Sequence, residues 1–167
     1  MKSDYINRDV MGHILFALNP VNRLVCKVAL ETGLRIGDIL EFKTYDIVFK
    51  KSFTIREQKT GKSRKITLRE PLRKELQDIS GTYYVFEHRT DPHKHRARQT
   101  VYTDIKRVCK LFKVKENISP HSIRKLYAVD MYQKTGDMSK VQKALLHDNE
   151  LTTMLYALSD ILHSKKK

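Results

Sequence analysis

The sequence predicts an α+β fold that is mainly α-helical and carries one small three-stranded antiparallel sheet. Apolar residues recur at the spacing of amphipathic helices through most of the chain, and glycine, proline or polar clusters separate these segments. Between residues 45 and 68 the composition shifts to β-branched and aromatic residues, which favour strands. With 167 residues and 40% apolar content, the chain is expected to form one domain around an ordinary core.

The first clear helix follows Asn19 and Pro20, which are an N-cap residue and a proline suited to the first helical turn. Apolar residues keep helical spacing from Val21 to Ala29, until Gly33 interrupts the pattern. A short second helix is expected over residues 35–40.

Three short segments predict the sheet, at residues 45–49, 52–55 and 65–68. The intervening stretch 59–64 (KTGKSR) has turn chemistry and is rich in cations. It therefore predicts a hairpin whose cationic tip reaches outward.

Beyond the sheet the pattern is helical again, with five helices expected at residues 70–79, 99–112, 120–134, 138–146 and 151–163. The polar and basic stretch 87–98 predicts a loop that faces solvent or a polyanion. No acidic or cysteine partner completes a metal site with its three histidines, so no metal is expected.

The charge balance indicates a polyanionic partner. The chain has 33 Lys and Arg residues against 19 Asp and Glu, a net charge of +14, and nucleic acid is the leading candidate. No stretch approaches the roughly 18 apolar residues of a membrane-spanning helix, and the N-terminus lacks the apolar run of a secretory signal. We expect a cytoplasmic protein in which Cys26 and Cys109 are reduced core residues.

A histidine and an arginine, His121 and Arg124, stand three residues apart near the start of the helix at 120–134. Ser119 and Pro120 supply the capping and first-turn residues. Both side chains would share one face at a positive helix end, a geometry that suits a phosphate group. Taken alone, this motif is weak and fits a structural or surface role better.

Other motifs flank His121 and Arg124 in a definite order. Residues 32–38 (TGLRIGD) place a carboxylate three residues after Arg35, and the cationic hairpin at Lys59 follows. Downstream come the sequence 145–147 (LLH) and then Tyr156, nine residues after His147. In this order the motifs resemble those of the tyrosine recombinases, the phage integrase family, over roughly residues 20–157, and an ordered set is far more specific than any one motif.

The resemblance implies the DNA breaking-rejoining fold of that family and a reaction in which Tyr156 is the nucleophile. Its attack on the scissile phosphate would leave a 3′-phosphotyrosyl bond and a free 5′-hydroxyl. Because the bond energy is retained in that linkage, no ATP is needed, and no cofactor is expected.

The resemblance also implies roles for the other motif residues. Arg35 and Arg124 would hold the non-bridging oxygens and stabilise the transition state, while Lys59 would protonate the departing 5′-oxygen. Lys62, in the same hairpin turn, is the alternative candidate for this role as proton donor. His121 would donate or accept a proton, and His147 would donate a further hydrogen bond to the phosphate. Asp38 would have a supporting role and help to orient the site.

Double-stranded DNA is the expected partner, contacted by six cations: Lys62, Arg64, Lys65, Arg96, Arg98 and Lys125. By resemblance, the protein would come from a phage or another mobile genetic element and work as a homo-tetramer on two DNA sites, although a monomer is possible without DNA. We expect residues 1–167 to be a single catalytic domain, with a structured core from about residue 18 to about residue 163 and without the family's N-terminal DNA-clamping domain.

Two alternative functions remain open from the sequence. One is a non-catalytic DNA-binding remnant of the fold, against which the complete set of motifs argues. The other is a type IB topoisomerase, which nicks and reseals one strand with a similar set of residues. The hairpin and the spacing between His147 and Tyr156 look more like a recombinase.

Overall fold

The computed structural model of the protein describes residues 3–145. His147, Tyr156 and the helix expected at 151–163 lie outside this range, as does the last residue of the helix expected at 138–146. The described elements, in chain order, are α1 (Arg8–Ala17), α2 (Pro20–Thr32), α3 (Ile36–Leu40), α4 (Thr44–Phe49), β1 (Ser52–Arg56), β2 (Ser63–Thr67), α5 (Glu70–Ile79), α6 (Arg98–Leu111), α7 (Pro120–Thr135) and α8 (Met138–Ala144).

Helix α2 is the centre of the packing, because it contacts α1, α3, α5, α6 and α7. It begins as the sequence predicts: the side chain of Asn19 accepts a hydrogen bond from the amide of Val21, and Pro20 occupies the first turn. It ends at Gly33, which has a φ of 68°. Helix α7 packs against α2 and begins with a capping box formed by Ser119 and Ser122.

The sheet has two antiparallel strands in the described part of the chain, rather than the three expected. Strands β1 and β2 pair from Ser52 opposite Thr67 to Arg56 opposite Ser63. Phe53 and Ile66 form one of these pairs, and both are buried in the core. The expected hairpin is therefore confirmed, with its turn at residues 57–62.

The third expected strand, residues 45–49, is wrong, because these residues form helix α4. In a strand Tyr45, Ile47 and Phe49 would share one face. Instead Ile47 is buried, while Tyr45 is 62% and Phe49 72% exposed. Contacts with α5 favour the helix: the carbonyl oxygens of Ile47 and Val48 near its C-terminus accept hydrogen bonds from Arg73, at 3.0 and 3.1 Å.

The core also begins earlier than the expected position near residue 18. Helix α1 buries Met11 and Ile14, and the side chain of Asn7 caps it by accepting from the amide of Val10. Apolar residues at 11, 14, 15 and 18 have helical spacing, so the sequence contained the signal for this helix.

Two further expectations can be compared with the structure. Cys26 and Cys109 are both buried and free, as expected. The loop expected at 87–98 contains no helix and no strand up to residue 97, whereas its last residue, Arg98, begins α6. Within residues 3–145, no helix combines the length and the apolar character needed to cross a membrane.

Candidate active site

Arg35 stands in the N-cap position of α3, immediately after the turn in which Gly33 ends α2. Its side chain is mostly buried, at 16% exposure, and its Nη1 donates to Oε2 of Glu57 at 2.7 Å. The guanidinium group of Arg35 is therefore tied to the end of strand β1.

Arg124 on α7 is almost completely buried, at 2% exposure. Its Nη1 donates to the carbonyl oxygen of Gly33, and its Nη2 donates to that of Leu145 at 3.0 Å. Arg124 thus joins the turn before Arg35 to the C-terminal end of α8. Carbonyl groups at helix C-termini carry partial negative charge, which stabilises a buried guanidinium.

His121 lies in the first turn of α7 and is exposed, unlike Arg124 one turn later. It lines an open cleft of about 650 Å³ whose other walls come from α6, from the chain before α7 and from Ser3. Arg98 and Lys106 of α6 also line this cleft, so three potentially cationic side chains surround it. Such a cleft favours an anionic ligand.

The hairpin turn carries Lys59, which is exposed. Two contacts fix the base of this turn against α3 and the end of α2. Oδ1 of the buried Asp38 accepts from the amide of Gln58 at 3.0 Å, and Nη2 of Arg64 donates to the carbonyl oxygen of Thr32. Asp38 therefore holds the turn that bears Lys59.

Glu57 is a residue of the site that the sequence analysis missed. Its side chain is 0% exposed and lies between Arg35 and Arg64. A signal for it existed, since Glu57 is the only acidic residue between Lys50 and Lys65, a stretch rich in cations. An isolated acidic residue in such a stretch favours an internal ion pair.

The six cations expected to contact DNA differ in their placement. Lys62, Lys65 and Arg98 are exposed. Two are partly buried and bonded internally: Arg64 as described above, and Arg96, whose Nε donates to Oδ1 of Asn22 at 2.8 Å. The partial burial of Arg96 lowers its pKa, against the opposing effect of Asp104.

The surface contact expected for Lys125 is not supported. Lys125 is only 3% exposed, and its ammonium group donates to the carbonyl oxygen of Ser3. This contact holds the N-terminal segment against α7 and keeps the ammonium group of Lys125 away from the surface.

These contacts bring together motifs that lie far apart in the sequence. Arg124 on α7 joins the turn before Arg35 to the end of α8 at Leu145. Glu57 joins Arg35 to the hairpin that carries Lys59. Two fixed guanidinium groups, an exposed histidine and an exposed lysine are suited to bind a phosphodiester and to transfer protons to and from it. His147 and Tyr156 lie outside the described residues.

Comparisons with known proteins agree with this arrangement. The model of the phage integrase family matches residues 5–163. A tyrosine recombinase of Thermosipho africanus is 30% identical over 162 residues, which cover 92% of this chain and 56% of that protein. The XerA tyrosine recombinase of Pyrococcus furiosus is 28% identical over 152 residues, 87% of this chain and 52% of that protein. The chain thus spans about half the length of these curated relatives.

Solved structures show the same fold. A crystal structure of XerA recombinase superposes with a TM-score of 0.75 at 19% identity, covering 98% of this chain and 64% of that one. The catalytic core of lambda integrase superposes with a TM-score of 0.69 at 24% identity, covering 86% of this chain and 91% of that one. The small sheet and the surrounding helices therefore form the tyrosine-recombinase catalytic fold.

Proposed function

This chain belongs to the phage integrase family, and we propose that it cuts and rejoins DNA in site-specific recombination. The single observation that carries the proposal is the position of Arg124. Its guanidinium group bonds to Gly33, 91 residues away and two before Arg35, and to Leu145, 21 residues away and two before His147. One buried arginine thus links three of the motifs on which the resemblance rests.

In the proposed reaction, the phenolic oxygen of Tyr156 attacks the scissile phosphorus and the bond to the 5′-oxygen breaks. A free tyrosine titrates near pH ~10, so the attack needs cations that stabilise the phenolate or a base that removes the phenolic proton. His121 would take part in this proton transfer. The phosphotyrosyl bond conserves the energy of the phosphodiester, so a 5′-hydroxyl can later reverse the step and rejoin the DNA.

Arg35 and Arg124 would hold the non-bridging oxygens, because a planar guanidinium matches the geometry of two phosphate oxygens. Their charge would stabilise the additional negative charge of the pentacoordinate transition state. Lys59, on the exposed turn of the hairpin, would protonate the departing 5′-oxygen. His147 would donate one further hydrogen bond to the phosphate.

We propose double-stranded DNA as the substrate, contacted by the exposed side chains of Lys62, Lys65 and Arg98 around this site. A homo-tetramer on two DNA sites is the proposed working assembly. A lambda integrase structure shows a tetramer bound to a Holliday junction, which supports this assembly by analogy. Such a substrate would place the protein at the bacterial nucleoid or in the cytoplasm of a phage-infected host.

The test is the capture of the covalent intermediate. The protein is incubated with nicked duplexes that carry candidate core sites, in which the cleaved strand loses a short fragment and cannot be rejoined. We expect a denaturation-resistant protein–DNA adduct from the wild type and none from Tyr156→Phe. Tyr45→Phe is the matched control, since Tyr45 is exposed on α4, and it should form the adduct normally.

Two other outcomes would favour the alternative functions. DNA binding without any adduct, on sites that a longer relative cleaves, would indicate a non-catalytic DNA-binding protein. A Tyr156-dependent adduct on DNA of any sequence, together with relaxation of supercoiled plasmid, would indicate a topoisomerase.

A further inference from the structure

Glu57 is the most deeply buried charged side chain near the proposed site. Its side chain is 0% exposed, at the point where strand β1 passes into the turn that carries Lys59. Removing a carboxylate from water is costly unless cationic and hydrogen-bonding partners compensate for it. The position of Glu57 therefore depends on the groups around it.

Those groups come from three different parts of the fold. Oε2 accepts from Nη1 of Arg35 at 2.7 Å, and the hydroxyl of Thr60 lies 3.4 Å from the same oxygen. Oε1 lies 4.0 Å from Nη1 of Arg64 on β2. The carboxylate thus stands between two guanidinium groups, whose mutual repulsion it offsets.

The backbone of Glu57 also closes the hairpin turn. Its amide donates to the carbonyl oxygen of Lys62 at 3.0 Å, and its carbonyl oxygen accepts from the amide of Gly61 at 2.8 Å. Lys59 lies between these residues. Glu57 is therefore attached to the lysine turn through its backbone and to Arg35 through its side chain.

From this arrangement we propose that Glu57 is a positioning residue for the scissile phosphate. It fixes the orientation of the guanidinium plane of Arg35 and holds Arg35 at a constant position relative to the turn of Lys59. The assignment rests on the proposed function of the site. A bond to Nη1 restricts rotation of the planar group about its long side chain. Arg35 then meets the phosphate already oriented, so less ordering is required in the transition state.

The first experiment tests the ion pair between Arg35 and Glu57 in the absence of DNA. Arg35→Ala, Glu57→Gln and the double variant are compared by thermal unfolding. Arg35→Ala leaves the buried carboxylate with the hydroxyl of Thr60 and with the more distant Arg64 as its cationic partner, so we expect the largest drop in Tm for this variant. Adding Glu57→Gln should raise the Tm again, because it removes the uncompensated charge. Strictly additive shifts in Tm would overturn the pairing.

The second experiment measures the consequence for strand cleavage, as the rate of adduct formation in a single turnover at saturating DNA. We expect Glu57→Gln to lower this rate by about tenfold or more while DNA affinity changes by less than about threefold. Glu57→Asp, which keeps the charge, should recover part of the rate. The double variant with Arg35→Ala should be no slower than Arg35→Ala alone, because both changes remove the same interaction.

The matched control is Glu41→Gln. Glu41 contacts the same turn, through a hydrogen bond of 2.6 Å from the side chain of Gln58, but it has no such contact with Arg35. It should leave the cleavage rate unchanged. A wild-type rate for Glu57→Gln would overturn the positioning role.

A modified substrate separates an effect on Arg35 from an effect on Lys59. When sulfur replaces the bridging 5′-oxygen, the leaving group departs as a thiolate and needs no proton donor. The defect of Glu57→Gln should persist on this substrate if Glu57 acts through Arg35. Full recovery would instead assign the effect to Lys59 and overturn the proposal. If the wild type forms no Tyr156-dependent adduct, the proposed function itself fails, whereas the Tm experiment still decides whether the pair exists.

Discussion

Gly33 combines two constraints at the end of α2. Its φ of 68° lies in the left-handed region, and an added Cβ atom would overlap the ring of Tyr127 on α7. Its carbonyl oxygen also accepts the bond from Arg124. The absence of a side chain therefore allows α2 and α7 to approach closely enough for Arg124 to reach this turn.

Gly33→Ala should destabilise the protein by about 2–4 kcal/mol, the sum of the left-handed backbone and the overlap with Tyr127. The measurement is the free energy of unfolding in urea. The energetic cost of the left-handed backbone and that of the overlap with Tyr127 can be measured separately at two other glycines.

Gly136 has a φ of 64° but open space around it, so Gly136→Ala should cost only about 1–2 kcal/mol. Gly12 lies in α1 with no atom within 4 Å of an added Cβ, so Gly12→Ala should stabilise by about 0.5–1 kcal/mol. Equal losses for Gly33→Ala and Gly136→Ala would contradict the overlap with Tyr127.

Lys125 shows why individual cations are hard to assign from sequence. It follows Arg124 directly, and positions 122–126 of α7 are all buried. A helix that is surrounded on most sides has no polar stripe from which exposure can be deduced. No pattern in the sequence therefore indicates that the ammonium group of Lys125 contacts the N-terminal segment.

A polar network at Asp104 holds α6 against the start of α2. Oδ2 of Asp104 accepts from the amide of Asn19 at 2.9 Å and from Nδ2 of the buried Asn22 at 2.8 Å. Arg107 donates to Oδ1. Burial acts to raise the pKa of Asp104, but these hydrogen bonds and the charge of Arg107 outweigh it, and the pKa is lowered.

The network predicts a pH dependence of stability. Because folding lowers the pKa of Asp104, its contribution is fully present above the ordinary aspartate pKa of about 3.9 and is lost as the pH falls through the lower pKa of the folded state. Asp104→Asn should therefore be less stable than the wild type at pH 7, and the difference should shrink below about pH 4. Urea unfolding of both proteins at several pH values between 7 and 3 measures the difference in their free energies of unfolding. A difference that stays constant over that range would contradict the assignment.

Helix α4 illustrates how tertiary contacts override local preference. Its residues have the composition of a strand, yet Arg73 and Gln77 of α5 bind the carbonyl oxygens near its C-terminus. An ion pair between Asp46 and the C-cap residue Lys50, four residues apart, adds a contact that this helix allows and an extended strand does not. The partners on α5 are about 25 residues away in sequence, so no local pattern predicted them.

For the whole molecule, the net charge of +14 predicts that any binding to DNA has a large electrostatic component. Each phosphate that a cation neutralises releases counterions, so the affinity should fall steeply as salt increases. If Lys62 contacts a phosphate, Lys62→Ala should reduce the slope of log affinity against log salt concentration by about 1. Fluorescence anisotropy with a labelled duplex at several salt concentrations measures the slope.

Lys74→Ala is the control for this prediction. Lys74 is exposed on α5, a helix that carries none of the proposed DNA contacts. Both variants remove one positive charge, so a purely global effect of charge would change the two slopes equally. That result would argue against a specific contact at Lys62.

The sequence alone determined the order of the motifs, the family, the hairpin and most helix boundaries. Those boundaries depend on caps and turns such as Asn19, Gly33 and Ser119, which act on neighbours within a few residues. Only the tertiary structure decided that residues 45–49 form a helix, that Arg64 and Lys125 bond internally, and that Glu57 holds Arg35. Each of these depends on the burial and charge of groups brought close by folding, and a buried ion pair between residues 22 positions apart leaves no periodic pattern in the chain.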